Sequence, residues 1–381
     1  MRKLAILIAF AVAAFGQRHK LEEVDAEKPE GKLLQQVLQE TDTGKKAALM
    51  EQFAQQYPKM EASAWILEQL QGIYVKANDP DKTIAAGEKL LAIDKDDPEA
   101  ALQSLKAAEA KKDPGLVKKW SATTYANAHR AASAPKPAEA DKAERWKNEV
   151  DYAKQVEAYA DYAIYRAALE SRDPKLTIDL AETLEKQNPK SEYVPKLQQV
   201  LFVAYRQAQD NERAFAIAEK VLATDQSDED MLLVAADHYM QAKKEPEKVH
   251  SYSAKIVEVM AAKAKPEGVG DADWNARKTQ VTGLAHYMSG KQYSVENKFA
   301  QADQELRRAL PLVDASPGLA AIKPEVLFLL GLADYKLAGA TPEKAQESAN
   351  YFRQCAALKS PFQTTAATNL KRIMTEYHGI K

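Results

Sequence analysis

The chain has 381 residues, with 53 Lys and Arg against 55 Asp and Glu, so its formal net charge is −2. A balance this close to neutral supplies no overall positive field to draw the chain onto nucleic acid. A single core rarely grows to this length, so several domains or a stacked array is expected, and the composition, rich in Ala, Leu, Lys, Glu and Gln with only 14 Gly, is helix-forming.

At the start, Arg2 and Lys3 precede an uninterrupted apolar run from Leu4 to Phe15. The run is shorter than the roughly 20 residues that span a bilayer, and it ends in small residues. It reads as a secretory signal peptide over residues 1–16, with Ala14 and Gly16 at the two small positions before cleavage ahead of Gln17; cleavage after Ala14 is the alternative. A buried first helix or a retained anchor are the competing readings. An exported chain follows, periplasmic or extracellular, with no stable membrane span after signal removal. No Cys follows the run to accept a lipid, and the single Cys355, at an apolar helix position, has no partner for an intramolecular disulfide.

Residues 17–30 are charged, lack an apolar stripe and are expected to form a flexible lead-in. Helical hairpins are predicted over 31–131. Leu33, Leu34, Val37 and Leu38 face one way in the first helix, and Ala47, Met50, Phe53 and Ala54 in the second. Trp65, Leu67, Leu70 and Tyr74 then lead through a turn at Asn78-Asp79-Pro80 to Ile84, Leu90, Leu91 and Ile93. The next pair turns at Asp113-Pro114-Gly115. Pro135 and Pro137 break the pattern over 132–140, which reads as an insert or a joint.

The array resumes over 141–360. A long helix to Leu169 carries Tyr152, Tyr159, Tyr162 and Tyr165, which read either as packing between hairpins or as a stacking platform. Thr177, Ala214 and Val249 occupy equivalent positions of their second helices, with separations of 37 and 35 residues. A further unit contains Gly283-Leu284-Ala285-His286-Tyr287 and a long turn from Gly290 to Lys298. The last pairs Gly331 and Tyr335 with Ala345 and Phe352. Residues 361–381, with Phe362, Ala366, Leu370 and Ile373, are expected to form a capping helix and tail.

The stretch from Pro195 to Asp225 carries the pattern most fully. Leu197, Leu201, Ala204 and Tyr205 share one helix face; Ala214, Ile217, Ala218, Val221 and Leu222 share another; Gln209 to Glu212 turn between them. With Ala214 at a close helix crossing and an Asp closing the unit, it resembles the tetratricopeptide repeat, a helix-turn-helix of about 34 residues. The resemblance covers residues 31–377. It implies an all-α fold, a right-handed superhelix of stacked antiparallel helical hairpins in which the first helix of each hairpin lines a concave groove. It also implies a scaffold that holds a protein or peptide partner there. In that register Arg206, Gln207, His238, Gln241, Arg277, Tyr287, Tyr335 and Lys336 fall on the concave face.

Motifs for chemistry are missing from the sequence. The six His never form a pair four apart, and no second Cys completes a thiolate site. There is no Gly-x-Ser-x-Gly elbow, phosphate-binding Gly-Lys loop or Gly-x-Gly-x-x-Gly turn. Asp94, Asp96, Asp97 and Glu99 suggest calcium superficially, but Pro98 interrupts them and the turn Gly is missing. No catalytic residue, cofactor or metal is therefore expected, and the chain reads as a non-catalytic exported scaffold. An enzyme such as a hydrolase built into the groove, or a carbohydrate- or lipid-binding module on the same helices, remains the alternative, and oligomeric state stays open.

Overall fold

The computed structural model describes residues 18–21, 24–339, 342–377 and 380. The expected signal peptide lies outside them. Every regular element among the described residues is helical, and the chain divides into two compact units, Met1–Ala208 and Gln209–Lys381.

In one unit, α1 (Pro29–Gln39) pairs with α2 (Thr43–Gln56), α3 (Ala62–Lys76) with α4 (Pro80–Ile93), α5 (Pro98–Ala110) with α6 (Pro114–Ala132), and α7 (Ala140–Glu170) with α8 (Pro174–Gln187). A 3-10 turn, Pro195–Leu197, leads into α9 (Gln198–Gln207). The other unit holds α10 (Asn211–Leu222), then α11 (Glu229–Ala242) with α12 (Pro246–Ala262), α13 (Asp271–Val295) with α14 (Phe299–Ala315), and α15 (Lys323–Leu337) with α16 (Pro342–Ala356), closed by α17 (Gln363–Glu376). Each unit is thus a stack of packed helices, most of them in antiparallel pairs.

The turns explain why the helices stop and restart where they do. Asn78, Lys112, Gln209 and Asn297 all adopt left-handed backbone, and Asp79, Lys244 and Lys298 donate their N–H groups back to the carbonyls of Tyr74, Tyr239 and Tyr293, which closes the preceding helix. The following helix opens on a capping carboxylate at Asp79, Asp113, Asp173 and Asp210, with Pro at the first helical position of α4, α6 and α8. Four residues after each N-cap stand Thr83, Val117, Thr177, Ala214, Val249 and Ala302, all buried at the helix crossings. This common register includes the three residues aligned from sequence.

Three expectations change in detail. The lead-in makes contacts at its described residues: Leu21 and Val24 pack against the core of Leu33, Leu34 and their neighbours. Residues 132–140 connect α6 and α7, which pack on each other inside one unit, with Trp146 Nε1 donating to the Ala134 carbonyl at 3.0 Å; the division between units lies instead at Ala208 and Gln209, within the stretch that first suggested the repeat. Most of the long turn expected from Gly290 to Lys298 is helix, and the turn itself is only Glu296 to Lys298. α13 continues to Val295, and Gly290 packs so closely on α14 that an added Cβ would stand 2.6 Å from Leu306. The hairpin register of α13 is therefore set by Tyr293, whose carbonyl closes the helix, rather than by Tyr287.

The last described helix, α17, packs at the end of its unit. Ala366 and Ile373 of α17 are buried against α15 and α16, alongside Phe352 and Cys355 in the adjoining clusters. Cys355 is fully buried, with its thiol 3.3 Å from the Pro324 carbonyl.

Candidate interaction surface

Within each unit, several first helices touch the next first helix as well as their own partners. α3 meets α5 and α5 meets α7; α11 meets α13, α13 meets α15, and α15 meets α17. The result in each unit is a rank of helices with one side turned to solvent.

Side chains bridge these ranks. Arg277 on α13 lies 2.6 Å from Asp230 and 3.7 Å from Glu229, both on α11. Tyr287 donates its hydroxyl to Glu325 of α15 at 2.6 Å, and Lys291 lies 2.9 Å from the same carboxylate. Tyr335 on α15 donates to Glu376 of α17 at 2.6 Å, with the Arg372 guanidinium over its ring. In the other unit Tyr159 donates to Glu109 at 2.6 Å, Arg166 reaches the same residue at 3.0 Å, and Tyr152 bonds Glu99.

The residues expected on the concave face therefore divide. Arg206, Gln207, Gln241 and Lys336 are exposed. Gln241 donates to Asp237, one turn back on α11, at 2.6 Å. His238 is half-buried and stacks on Phe215 at 3.6 Å. Arg277 and Tyr335 are half-buried and engaged in the bridges just described. Tyr287 is only 6% exposed; burial, then Glu325, raises its phenol above the ordinary range. It is a packing residue, displaced from the assumed register because α13 runs two turns beyond it. Arg206 and Gln207 belong to one unit and the other six to the second.

A recurring cluster escaped the sequence reading. Tyr74 near the end of α3 bonds Glu51 of α2, while Lys82 of α4 lies 3.4 Å from that carboxylate and 5.1 Å from the ring centre. Tyr239 of α11 donates to Glu219 of α10 at 2.8 Å, and Lys248 of α12 donates to the Tyr239 oxygen at 2.6 Å and to Glu219 at 3.1 Å. Burial works against the Glu219 charge, but Tyr239, Tyr252 and Lys248 hold its carboxyl below the usual range; burial, then Glu219, pushes the Tyr252 phenol up to about 12. Lys344 of α16 takes a corresponding place between Asp303 of α14 and Asp334 of α15, 2.9 Å from each. The signal was present as a Tyr followed eight or nine residues later by a cation: Tyr74 and Lys82, Tyr205 and Arg213, Tyr239 and Lys248, Tyr335 and Lys344. Its chemistry is structural: Lys82, Lys248 and Lys344 each lie between a carboxylate of the preceding hairpin and the end of a first helix, and Arg213 lies 2.7 Å from Asp210 at the start of its own helix.

A second feature was half-seen. Tyr159, Tyr162, Tyr193 and Tyr165 form a chain of ring contacts, the tightest being Tyr165 on Tyr193 at 4.8 Å. Tyr162 remains 39% exposed, with Arg166 against its ring and Lys196 over Tyr193. Some of these tyrosines pack hairpins together, and this edge also offers an aromatic strip to solvent.

Among the described residues, His19, Asp94 and Asp97 could bring three ligand atoms together. Arg18, however, already lies 2.5 Å from Asp94 Oδ2. A groove of about 450 Å³ between α4 and α6 is lined by Leu91, Lys95, Ala122, Thr123, Asn127 and Arg130. Arg130 is tied there to Asp96 and to the Lys95 carbonyl, which leaves the groove with neither a nucleophile beside a base nor a paired acid and base.

No family model matches the sequence, and no curated protein matches it. Among solved structures, the chain is similar to the TPR domain of P58(IPK), at 10% identity and a TM-score of 0.28, over 92% of this chain and 100% of that one. It is similar to yeast Tom70 at 12% identity and 0.22, over 92% and 97%, and to Nro1, titled a hypoxic regulator of sterol synthesis and a nuclear import adaptor, at 12% and 0.27, over 88% and 99%. The description of the fold rests on the hairpins and contacts of the chain itself.

Proposed function

We propose that this chain is a non-catalytic, exported scaffold that binds a protein or peptide partner on the solvent-turned side of its first helices. The observation that supports this most directly is the continuous contact of first helix with first helix in each unit, α3 through α7 and α11 through α17. Each rank offers a surface of mixed character, with Tyr162 and Arg166 on α7 in one unit, and Gln241 on α11 and Lys336 on α15 in the other. Arg and Tyr are residue types that often anchor interfaces. Export is supported by Arg2, Lys3 and the apolar run from Leu4 to Phe15.

Photo-crosslinking groups placed at Tyr162, Gln241 and Lys336 test the surface. Compared with groups at Lys89 and Gln304 on second helices, they should capture one common protein from the native compartment. Equal capture from both sets would contradict the reading. N-terminal sequencing of the native chain tests export: the expected first residue is Gln17 or Phe15, and a retained Met1 on a cytoplasmic protein would remove that part of the proposal.

A further inference from the structure

Arg18 and His19 reach a group of carboxylates drawn from three helices. Arg18 Nε lies 2.5 Å from Asp94 Oδ2 and its Nη2 3.3 Å from Asp94 Oδ1, at the end of α4. His19 Nε2 lies 3.2 Å from Asp97 Oδ2 and 3.7 Å from Asp94 Oδ2. Asp97 Oδ1 is separately engaged as the N-cap of α5, accepting from the N–H groups of Glu99 and Ala100 at 3.0 Å. Glu68 supplies the third helix. It sits half-buried on α3, and its Oε2 is buried without a hydrogen-bond partner. Asp96 is turned away to Arg130, at 2.5 Å. Leu21 and Val24 then pack on the core of the first hairpins, so Arg18 and His19 supply a polar attachment and Leu21 and Val24 an apolar one.

We infer that His19 is a pH-sensitive latch that holds the N-terminal segment against α3 and the turn between α4 and α5, docked while the imidazole is protonated and loosened when it loses its proton. The charges require this direction. Asp94, Asp97 and Glu68 bring three carboxylates to one place, and Arg18 alone balances only one of them. A protonated His19 adds a second cation among them, whereas a neutral ring removes that charge from beside Asp97 and Asp94. The hydrogen bond to Asp97, opposed by burial and helped by the charges of Asp97, Glu68 and Asp94, raises the imidazole above its ordinary 6.5. The docked value thus lies above the free one, so the His19 contribution is complete below about pH 6.5 and is lost as pH rises through the docked value. Arg18 keeps its charge throughout this range and remains on Asp94. On the acid side, burial raises the Glu68 carboxyl, so this carboxylate gives up its charge before an ordinary Glu would. The inference stands without the partner-binding reading.

A spin label at position 20 reads the latch directly, introduced as Lys20→Cys on an exposed residue, with the native Cys355 buried and out of reach. Between about pH 6 and about pH 9 the docked-to-mobile ratio should fall, because the docked imidazole holds its proton to higher pH than the free one. His19→Arg should hold the label docked across the range. His19→Gln should abolish the transition and lower docking at the acid end, while the helical signal stays unchanged in both variants. Hydrogen exchange of residues 18–28 in the unlabelled chain should follow the same curve. A pH-independent label and exchange pattern in the native sequence, or an undiminished transition in His19→Gln, would overturn the inference.

Discussion

Lys112 and Tyr287 illustrate how position overrides residue type. Lys112 sits in left-handed backbone at φ 53° between α5 and α6, exposed and at a place where Gly carries no steric penalty. Lys112→Gly should therefore stabilise the chain by roughly 0.5–1 kcal/mol in urea unfolding; a loss of stability would show that the Lys side chain contributes more than its backbone strain costs. Tyr287 shows the reverse case. Its buried ring and its bond to Glu325 mean that Tyr287→Ala should cost about 3–5 kcal/mol, as other large-to-small core substitutions do. Lys336→Ala should stay within about 0.5 kcal/mol. Similar costs for these two substitutions, measured by denaturant unfolding, would contradict the burial assigned to each. The sequence made Tyr287 look like a groove residue because Gly283 stands four positions before it, as Gly331 stands before Tyr335. What it could not display was how far α13 continues, since Gly290 reads as a helix breaker until Leu306 is found packed against it.

The hairpin turns were the most legible elements, because their chemistry is local. Asp79-Pro80 and Asp113-Pro114 mark an N-cap followed by a residue suited to the first helical position, and the buried residue four places on follows from helical geometry. The links between hairpins were less legible, because they join residues such as Glu219 and Lys248 that are distant in sequence and ordinary in type. The turn from α13 to α14 joins both kinds of interaction. Glu296 lies 2.9 Å from His250 Nε2 and 2.7 Å from Lys298, and accepts from Gln292 at 3.0 Å. Burial opposes its charge, but these three partners hold its carboxyl down to about 2. Its folded value is thus below the ordinary 4.5, so it contributes stability above about pH 4.5 that is lost as pH falls toward 2. Glu296→Gln should be destabilising near neutrality, and the gap from the native chain should close over that interval in pH-dependent unfolding. A gap that stays constant would mean that the Glu296 charge contributes nothing to the fold.

At the scale of the molecule, the repeat period and helical composition announced an array, while the division of that array was not visible. Pro135 and Pro137 looked like a joint because Pro interrupts a helix, yet α6 and α7 pack on each other across that loop. The compact units divide after Ala208, where the sequence shows an ordinary hairpin turn. Limited proteolysis separates the two aspects of the loop: first cleavage should fall within residues 133–139, and α6 should stay associated with α7 in the nicked chain. Separation of the fragments without denaturant would show that the α6–α7 packing is too weak to bridge the loop. The proposed role also belongs to this scale, because a partner that spans several first helices gains from many modest contacts. The most direct measurement is the affinity of the crosslinked partner for a Tyr162→Ala, Gln241→Ala and Lys336→Ala triple variant, set beside a Lys89→Ala and Gln304→Ala variant of equal helicity. Binding should weaken at least about tenfold, or about 1.4 kcal/mol, in the first and remain unchanged in the second; equal affinity of the two variants would contradict a partner-binding surface on the first helices.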